Sequence, residues 1–240
     1  MMGRWREVRS HVWRDERGTP VLMHVKKITP DGEVIFPWKH WLDFGNGTRP
    51  RWYKGKGGDD GIVAPLLYPL DVFARADRSA HVYICEGEKD CDALSGVGVL
   101  AVTAGGVCEF NPKHARLFKS WRGRITIVRD NDAPGAFGAA RTYGLLRDVG
   151  IPAARLRVAR GRCAGEGSDA FDHLEAGWSV DDLIPESIAH VRKIADTATA
   201  EDFKRAGYDR APRYAGDPGW VVVGREDAAE LTGWKPRHAS

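Results

Sequence analysis

The feature that most constrains this chain is a change of rhythm at residue 81. From there, short apolar runs alternate with helical patterns: "HVYIC" (81–85), then a helix over 88–96, then "GVLAVT" (98–103). "PKHARLFKSW" (112–121) reads as helix, "RITIVRD" (124–130) as strand, and "GAFGAARTYGLLRDVG" (135–150) as a helix closed by glycine. "ARLRVAR" (154–160) is the next strand and "AFDHLEAG" (170–177) the next helix. Such alternation predicts an α/β fold, a parallel sheet with helices on both faces. Ligands of open α/β sheets sit beyond the carboxyl ends of the strands. The loops of interest are therefore those after Cys85, Thr103, Val128 and Arg160.

Three of those four loops carry paired acids: Glu86 and Asp90, Asp130 and Asp132, Asp169 and Asp172. Each pair alone has an ordinary explanation. Acids suit a helix start, "DND" before Pro-Gly is common turn composition, and Asp169 or Ser168 is a fitting N-cap. Convergence of all three at one sheet end points instead to a shared site. Carboxylates crowded in one cleft raise each other's proton affinity. A divalent cation removes that conflict, and Mg²⁺ prefers oxygen ligands together with water and phosphate.

The residues before 81 read differently. Short strands are predicted at "VLMHVKKI" (21–28) and "GEVIFPWKHWL" (32–42), joined by the turn "TPDG". Residues 43–61 hold six glycines and read as a long mobile loop. "LLYPLDVFARA" (66–76) leads into a helix. Charge is unevenly spread. Residues 1–80 hold 14 Lys/Arg against 10 Asp/Glu, and residues 81–190 hold 13 against 15. A net charge of +3 does not by itself establish a nucleic-acid partner. Four scattered cysteines without CxxC spacing argue against structural zinc. No apolar run approaches a membrane span, so a cytoplasmic protein without membrane association is expected. Past residue 188, one helix over 186–206 and a strand at "GWVVVG" are predicted.

The acidic motifs resemble those of the Toprim domain, shared by bacterial-type (DnaG-like) primases, type IA and II topoisomerases and some nucleases. "EGEKD" after an apolar strand and "DND" before a glycine carry the resemblance, with the turn "TAGG" (103–106) between them. "DNDAPG" and "SDAFDHL" are similar to the forms in phage and plasmid primases. The Toprim likeness covers about residues 80–185. Residues 15–75 resemble more loosely the strand-rich α+β subdomain that precedes Toprim in those primases.

The resemblance implies residues 1–78 as a basic, template- and NTP-binding subdomain and 79–187 as a Rossmann-like Toprim catalytic domain. Residues 188–240 are a C-terminal extension without an assigned role. It implies Glu86 as general acid/base and Asp130 and Asp132 as Mg²⁺ ligands, with Mn²⁺ an alternative ion. Asp90, Asp169 and Asp172 support or extend the metal site; Asp-x-x-Asp replaces the Asp-x-Asp of many bacterial primases, leaving open which acid reaches the metal. Lys26, Lys27, Arg51, Lys54 and Lys56 are the candidates for template and nucleotide phosphates. Trp38, Trp41 and Trp52 lie among them, suited to base stacking or, for at least two, to core packing.

The expected function is DNA primase: Mg²⁺-dependent synthesis of short RNA on single-stranded DNA from NTPs. The chain shows no Cys/His cluster for a zinc ribbon and no GxxxxGK[ST] loop. A separate zinc-binding template-recognition protein and a replicative helicase are therefore the expected partners. Two alternatives share the same residues. One is a Toprim nuclease; the other is a non-catalytic nucleic-acid-binding replication protein.

Overall fold

A computed structural model describes residues 5–43, 49–55 and 67–205, and the backbone of 213–215 and 219–221. The chain divides into two compact units, residues 1–76 and 77–240.

The first unit is an antiparallel sheet of β1 (Arg6–Arg14), β2 (Pro20–Ile28), β3 (Val34–Ile35), β4 (Trp38–Leu42) and β5 (Arg51–Lys54). Its order is β1-β2-β4-β5, with β3 also pairing β2. The β1–β2 turn is fixed by Asp15, whose carboxylate accepts from the N–H groups of Arg17 and Thr19. Gly18 there takes φ +88°, a left-handed conformation that glycine adopts without strain. The run 32–42 is not one strand. Pro37 lacks a ladder donor and interrupts it between β3 and β4. The expected long loop over 43–61 is also corrected: Arg51–Lys54 within it pairs with β4, while 44–48 and 56–61 lie outside the described residues. The core gathers Trp13, Leu22 and Val25, with Trp13 edge-on to Trp38 and tilted against Tyr68. A short helix, α1 (Leu70–Arg75), completes this unit by burying Phe73.

The second unit is built on a five-stranded sheet of order β10-β9-β8-β6-β7. β6 (Val82–Ile84), β7 (Leu100–Val102), β8 (Ile125–Arg129) and β9 (Leu156–Arg160) are parallel. β6 and β8 are wholly buried, as the central strands of a covered parallel sheet must be. An edge strand, β10 (Ile184–Glu186), runs antiparallel to β9 and makes the sheet mixed.

Two groups of helices pack in this unit. α2 (Glu88–Gly96) packs with α5 (Ala170–Glu175), and α3 (Pro112–Leu117) and α4 (Ala133–Asp148) pack together with α6 (Ile188–Ala195). Where one helix was expected over 186–206 there are β10, α6 and a separate α7 (Ala200–Arg205). Thr199 and Asp202 exchange hydrogen bonds as a capping box and start α7 afresh. Phe203 of α7 is buried edge-on to Phe137 of α4. Farther on, β11 (Arg213–Ala215) pairs with β12 (Gly219–Val221).

The strand order locates a crevice. The chain leaves β6 toward β7 on one side and returns to β8 on the other. The carboxyl ends of β6 and β8 are therefore the topological switch point, where connections diverge and leave room for a ligand.

Candidate active site

Glu86 follows β6 and Asp130 follows β8, so both stand at that switch point. Among the described residues no hydrogen-bond donor reaches either carboxylate. The loop bearing Glu86 is latched from the next strand: Thr103, fully buried, donates from its hydroxyl to the Glu86 carbonyl at 2.6 Å and accepts from Gly105 N–H. Residue type alone does not single out Thr103, though its place in "TAGG" does. A pocket with Glu86 in its lining runs inward between Ile84, Val107, Phe110, Ile127 and Ala139.

Gly87 does not act as a sharp-turn residue. Its φ of −116° is open to any side chain, and a Cβ there would meet Asp90 Oδ2 at an ordinary 3.4 Å. Geometry does demand glycine at Gly135 in "DNDAPG", where a Cβ would lie 2.7 Å from the Asp130 carbonyl oxygen.

Asp90, in the first turn of α2, is 4% exposed and accepts from Phe171 N–H at 3.0 Å, binding α2 to the start of α5. Asp132 caps α4 by accepting from Gly135 N–H at 2.6 Å. Asp169 and Asp172 form a reciprocal capping box on α5. Their roles separate here. Asp169 is buried and its other oxygen pairs with Lys89, whereas Asp172 is exposed. Asn131, between the two acids of "DND", joins their loop to the one before α5. Its N–H donates to the Ser168 carbonyl, its side-chain amide to the Gly165 carbonyl, and its own carbonyl accepts from Gly167 N–H.

The electrostatics tie these acids together. Burial raises the Glu86 carboxyl to about 8, reinforced by the charges of Asp132, Asp90 and Asp169. Asp130 is pushed well above the carboxylate range by burial, then by Glu86, Asp90, Asp169 and Asp132. Asp90 rises to about 6 through burial and Asp169, against the Phe171 hydrogen bond and Lys89. Five acids from three loops thus act on one another.

Lys89 tempers the cluster from its rim. Burial lowers its proton affinity, but the bond to Asp169 and the charges of Asp169, Asp90 and Asp172 outweigh that and raise it. Its ammonium also lies 4.8 Å from the Phe171 ring centre. Glu88, in the first turn of α2, is 6% exposed. Cys85 is buried, and burial first, then the neighbouring Cys91, pushes its thiol up, which suits a small core residue rather than a nucleophile.

The donor set is all hard oxygen, as Mg²⁺ or Mn²⁺ requires. Among the described residues no three His, Cys, Asp or Glu side chains already converge on a metal position. Mg²⁺ commonly binds through one or two carboxylates completed by water and substrate phosphate. Asp130 and Asp132 are the candidates that the motif resemblance names.

The basic candidates belong to the first unit. Lys26 is exposed beside the Phe36 ring, and Lys27 is half-buried opposite Glu7 in the β1–β2 register. Arg51 is exposed, donates to the Tyr53 hydroxyl at 2.6 Å and lies over its ring. Lys54 is exposed opposite Lys39, itself 3.7 Å from Glu7. Lys56 lies outside the described residues. Trp38 stacks on His24 at 4.0 Å between centroids, and Trp41 meets Trp52 edge-on at 5.0 Å. All three tryptophans are half-buried in these pairings.

A Rossmann-like sheet with acids converging at its switch point defines the class of fold. Solved primases share it: the chain has the fold of a DnaG catalytic core. One such core superposes with a TM-score of 0.52 at 16% identity, covering 82% of this chain and 60% of that one. A DnaG primase catalytic domain bound to single-stranded DNA matches with a TM-score of 0.50, at 16% identity and the same coverage. In sequence, 113 residues, 45% of this chain, are 26% identical to a DNA primase of Clostridium acetobutylicum. The chain spans only 19% of that relative's length. No protein-family model matches the chain. Among the described residues no helix is long and apolar enough to cross a membrane.

Proposed function

We propose that this chain is a primase-type catalytic core, a nucleotidyltransferase that makes short RNA on single-stranded DNA from NTPs with Mg²⁺ or Mn²⁺. The observation that carries the reading is the mutual pressure of Glu86, Asp90, Asp130, Asp132 and Asp169 at the switch point of a primase-core fold. When bound, the ion would offset the carboxylate charge and polarise the phosphate under attack.

The chain's own residues then divide the work. Asp130 and Asp132 supply oxygens to the ion, and Asp90 and Asp169 stand behind them. Glu86 would ionise once the ion offset the neighbouring carboxylate charges, and its raised proton affinity would then suit it to take the proton of an attacking 3′-hydroxyl. Lys26, Lys27, Arg51, Lys54 and Lys56 would meet template and triphosphate phosphates, and Asp172 would brace Asp169 through the cap of α5. A zinc-binding template reader and a replicative helicase would come from other chains in a cytoplasmic, phage-like replication system.

The test supplies purified protein with single-stranded DNA, labelled NTPs and Mg²⁺ or Mn²⁺, beside Glu86→Gln and Asp130→Asn. Template-dependent oligoribonucleotides from the wild type alone support the proposal. Template cleavage without synthesis favours the nuclease reading. No metal-dependent chemistry sinks both.

A further inference from the structure

Arg129 is the last residue of β8, directly before the acid loop, and its side chain is 2% exposed. A buried guanidinium needs every edge satisfied. One edge is held by Glu186 of β10, with Nε to Oε2 at 2.7 Å and Nη2 to Oε1 at 2.9 Å. This is the bidentate fork that arginine makes and lysine cannot. The other edge points at main chain. Nη1 donates to the carbonyl of Asp130 at 2.7 Å and to that of Asp132 at 3.3 Å. One planar group therefore grips both residues of the "D-x-D" pair from behind.

Three further points separate this bracket from a simple packing contact. Ion pairs shut away from water contribute little net stability against apolar replacements, so such a pair is poorly explained by folding alone. Glu186 offsets the arginine's charge, so the loop gains rigidity without losing the negative field a cation needs. Glu186 is itself braced, with Arg160 at 3.6 Å and His190 at 3.9 Å from Oε1.

We propose that Arg129, oriented by Glu186, is the positioning residue that sets Asp130 and Asp132 for a divalent cation. The inference rests on the metal-site reading above. It makes β10, an edge strand 57 residues away in sequence, part of the catalytic apparatus.

The test compares the full chain with Arg129→Lys and Glu186→Gln. Arg129→Lys keeps the charge and loses the fork; Glu186→Gln keeps the shape and remains the variant of use should the other not fold. Mn²⁺ binding is read from the loss of the free-ion electron paramagnetic resonance signal. Backbone amide exchange is read across residues 130–135. Outer partners of metal ligands typically change affinity by about 10- to 100-fold. We expect weakening of that order in both variants. Exchange of the Asn131 and Gly135 amides should rise relative to β6 amides, because the loop loses what holds it closed. At saturating metal the KM for NTP should stay within about twofold, since the fork touches no nucleotide site. Folded variants with wild-type Mn²⁺ affinity and unchanged loop exchange overturn the proposal. Should the wild type bind no Mn²⁺, the metal reading fails, and the exchange comparison still decides whether Arg129 sets the loop.

Discussion

The two units place polar residues by opposite rules. In the second unit, the parallel strands all end on the same side of the sheet, so acids from residues 86, 90, 130, 132 and 169 come to act on one another. In the antiparallel unit, successive residues alternate between faces. Lys39 and Lys54 sit opposite each other beside the Trp41–Trp52 pair, whereas Arg51 is two residues from Tyr53 and shares its face instead. Charges there are dispersed over a surface rather than focused on a point. Convergent acids should therefore fail steeply when one is removed, and dispersed bases gradually.

The largest expected effect is catalytic. Glu86→Gln should lower nucleotide incorporation by about 10²- to 10⁴-fold, the range of a lost proton-transfer group. Its melting temperature should not fall, because the variant removes a carboxyl that resists ionising. Loss of fold with loss of activity would break the contrast.

The second effect is on stability against pH. Glu86 titrates near 4.5 when unfolded and at about 8 when folded. The folded state therefore binds the extra proton, and stability conferred by the protonated form is full below about pH 4.5. It is lost as pH rises through about 8. At about 1.4 kcal/mol per unit, shared among interacting acids, a loss of about 2–4 kcal/mol between pH 5 and 8 is expected without metal. Chemical denaturation in EDTA at the two pH values measures it. Mg²⁺ should restore most of it, and a flat profile would show that the acids do not press on one another.

The Arg129–Glu186 pair offers a sharper contrast. Arg129→Met alone leaves Glu186 buried without its main partner and should cost about 3–5 kcal/mol. Adding Glu186→Leu should recover most of that stability, by thermal melting, but not the Mn²⁺ affinity. Recovery of both would reduce the pair to packing. The smallest effect belongs to the antiparallel unit. Lys54→Ala should weaken single-stranded DNA or NTP binding only a few-fold and lower the salt slope by about one. A tenfold loss of binding at this single lysine would mean that the bases are focused after all.

Much of the second unit was legible because periodicity and topology agree: α2 spans Glu88–Gly96 as predicted, and the acids lie where a parallel sheet gathers its loops. What escaped is non-local. Nothing near Arg129 announces a partner 57 residues on, since "DLIPES" contains a proline and only a three-residue strand. Burial of Glu88 is equally invisible from a helix-start pattern. β5 was hidden by the glycines around it, because its four residues gain their conformation from pairing with β4 rather than from propensity. The division between α6 and α7 was readable in "TAED", a capping-box spacing at Thr199 and Asp202. Asp172 could not be told from Asp169 without seeing which oxygen the helix cap consumes.

The central claim is that the switch-point acids form one cation site held partly protonated when empty. Calorimetric titration of the wild type with Mn²⁺ at pH 7, repeated in two buffers of different ionisation enthalpy, tests it directly. Binding should release about one proton per ion, since ligand carboxyls must ionise to bind, and Asp130→Asn should abolish the binding. Mn²⁺ uptake without proton release, or undiminished in Asp130→Asn, would overturn that claim.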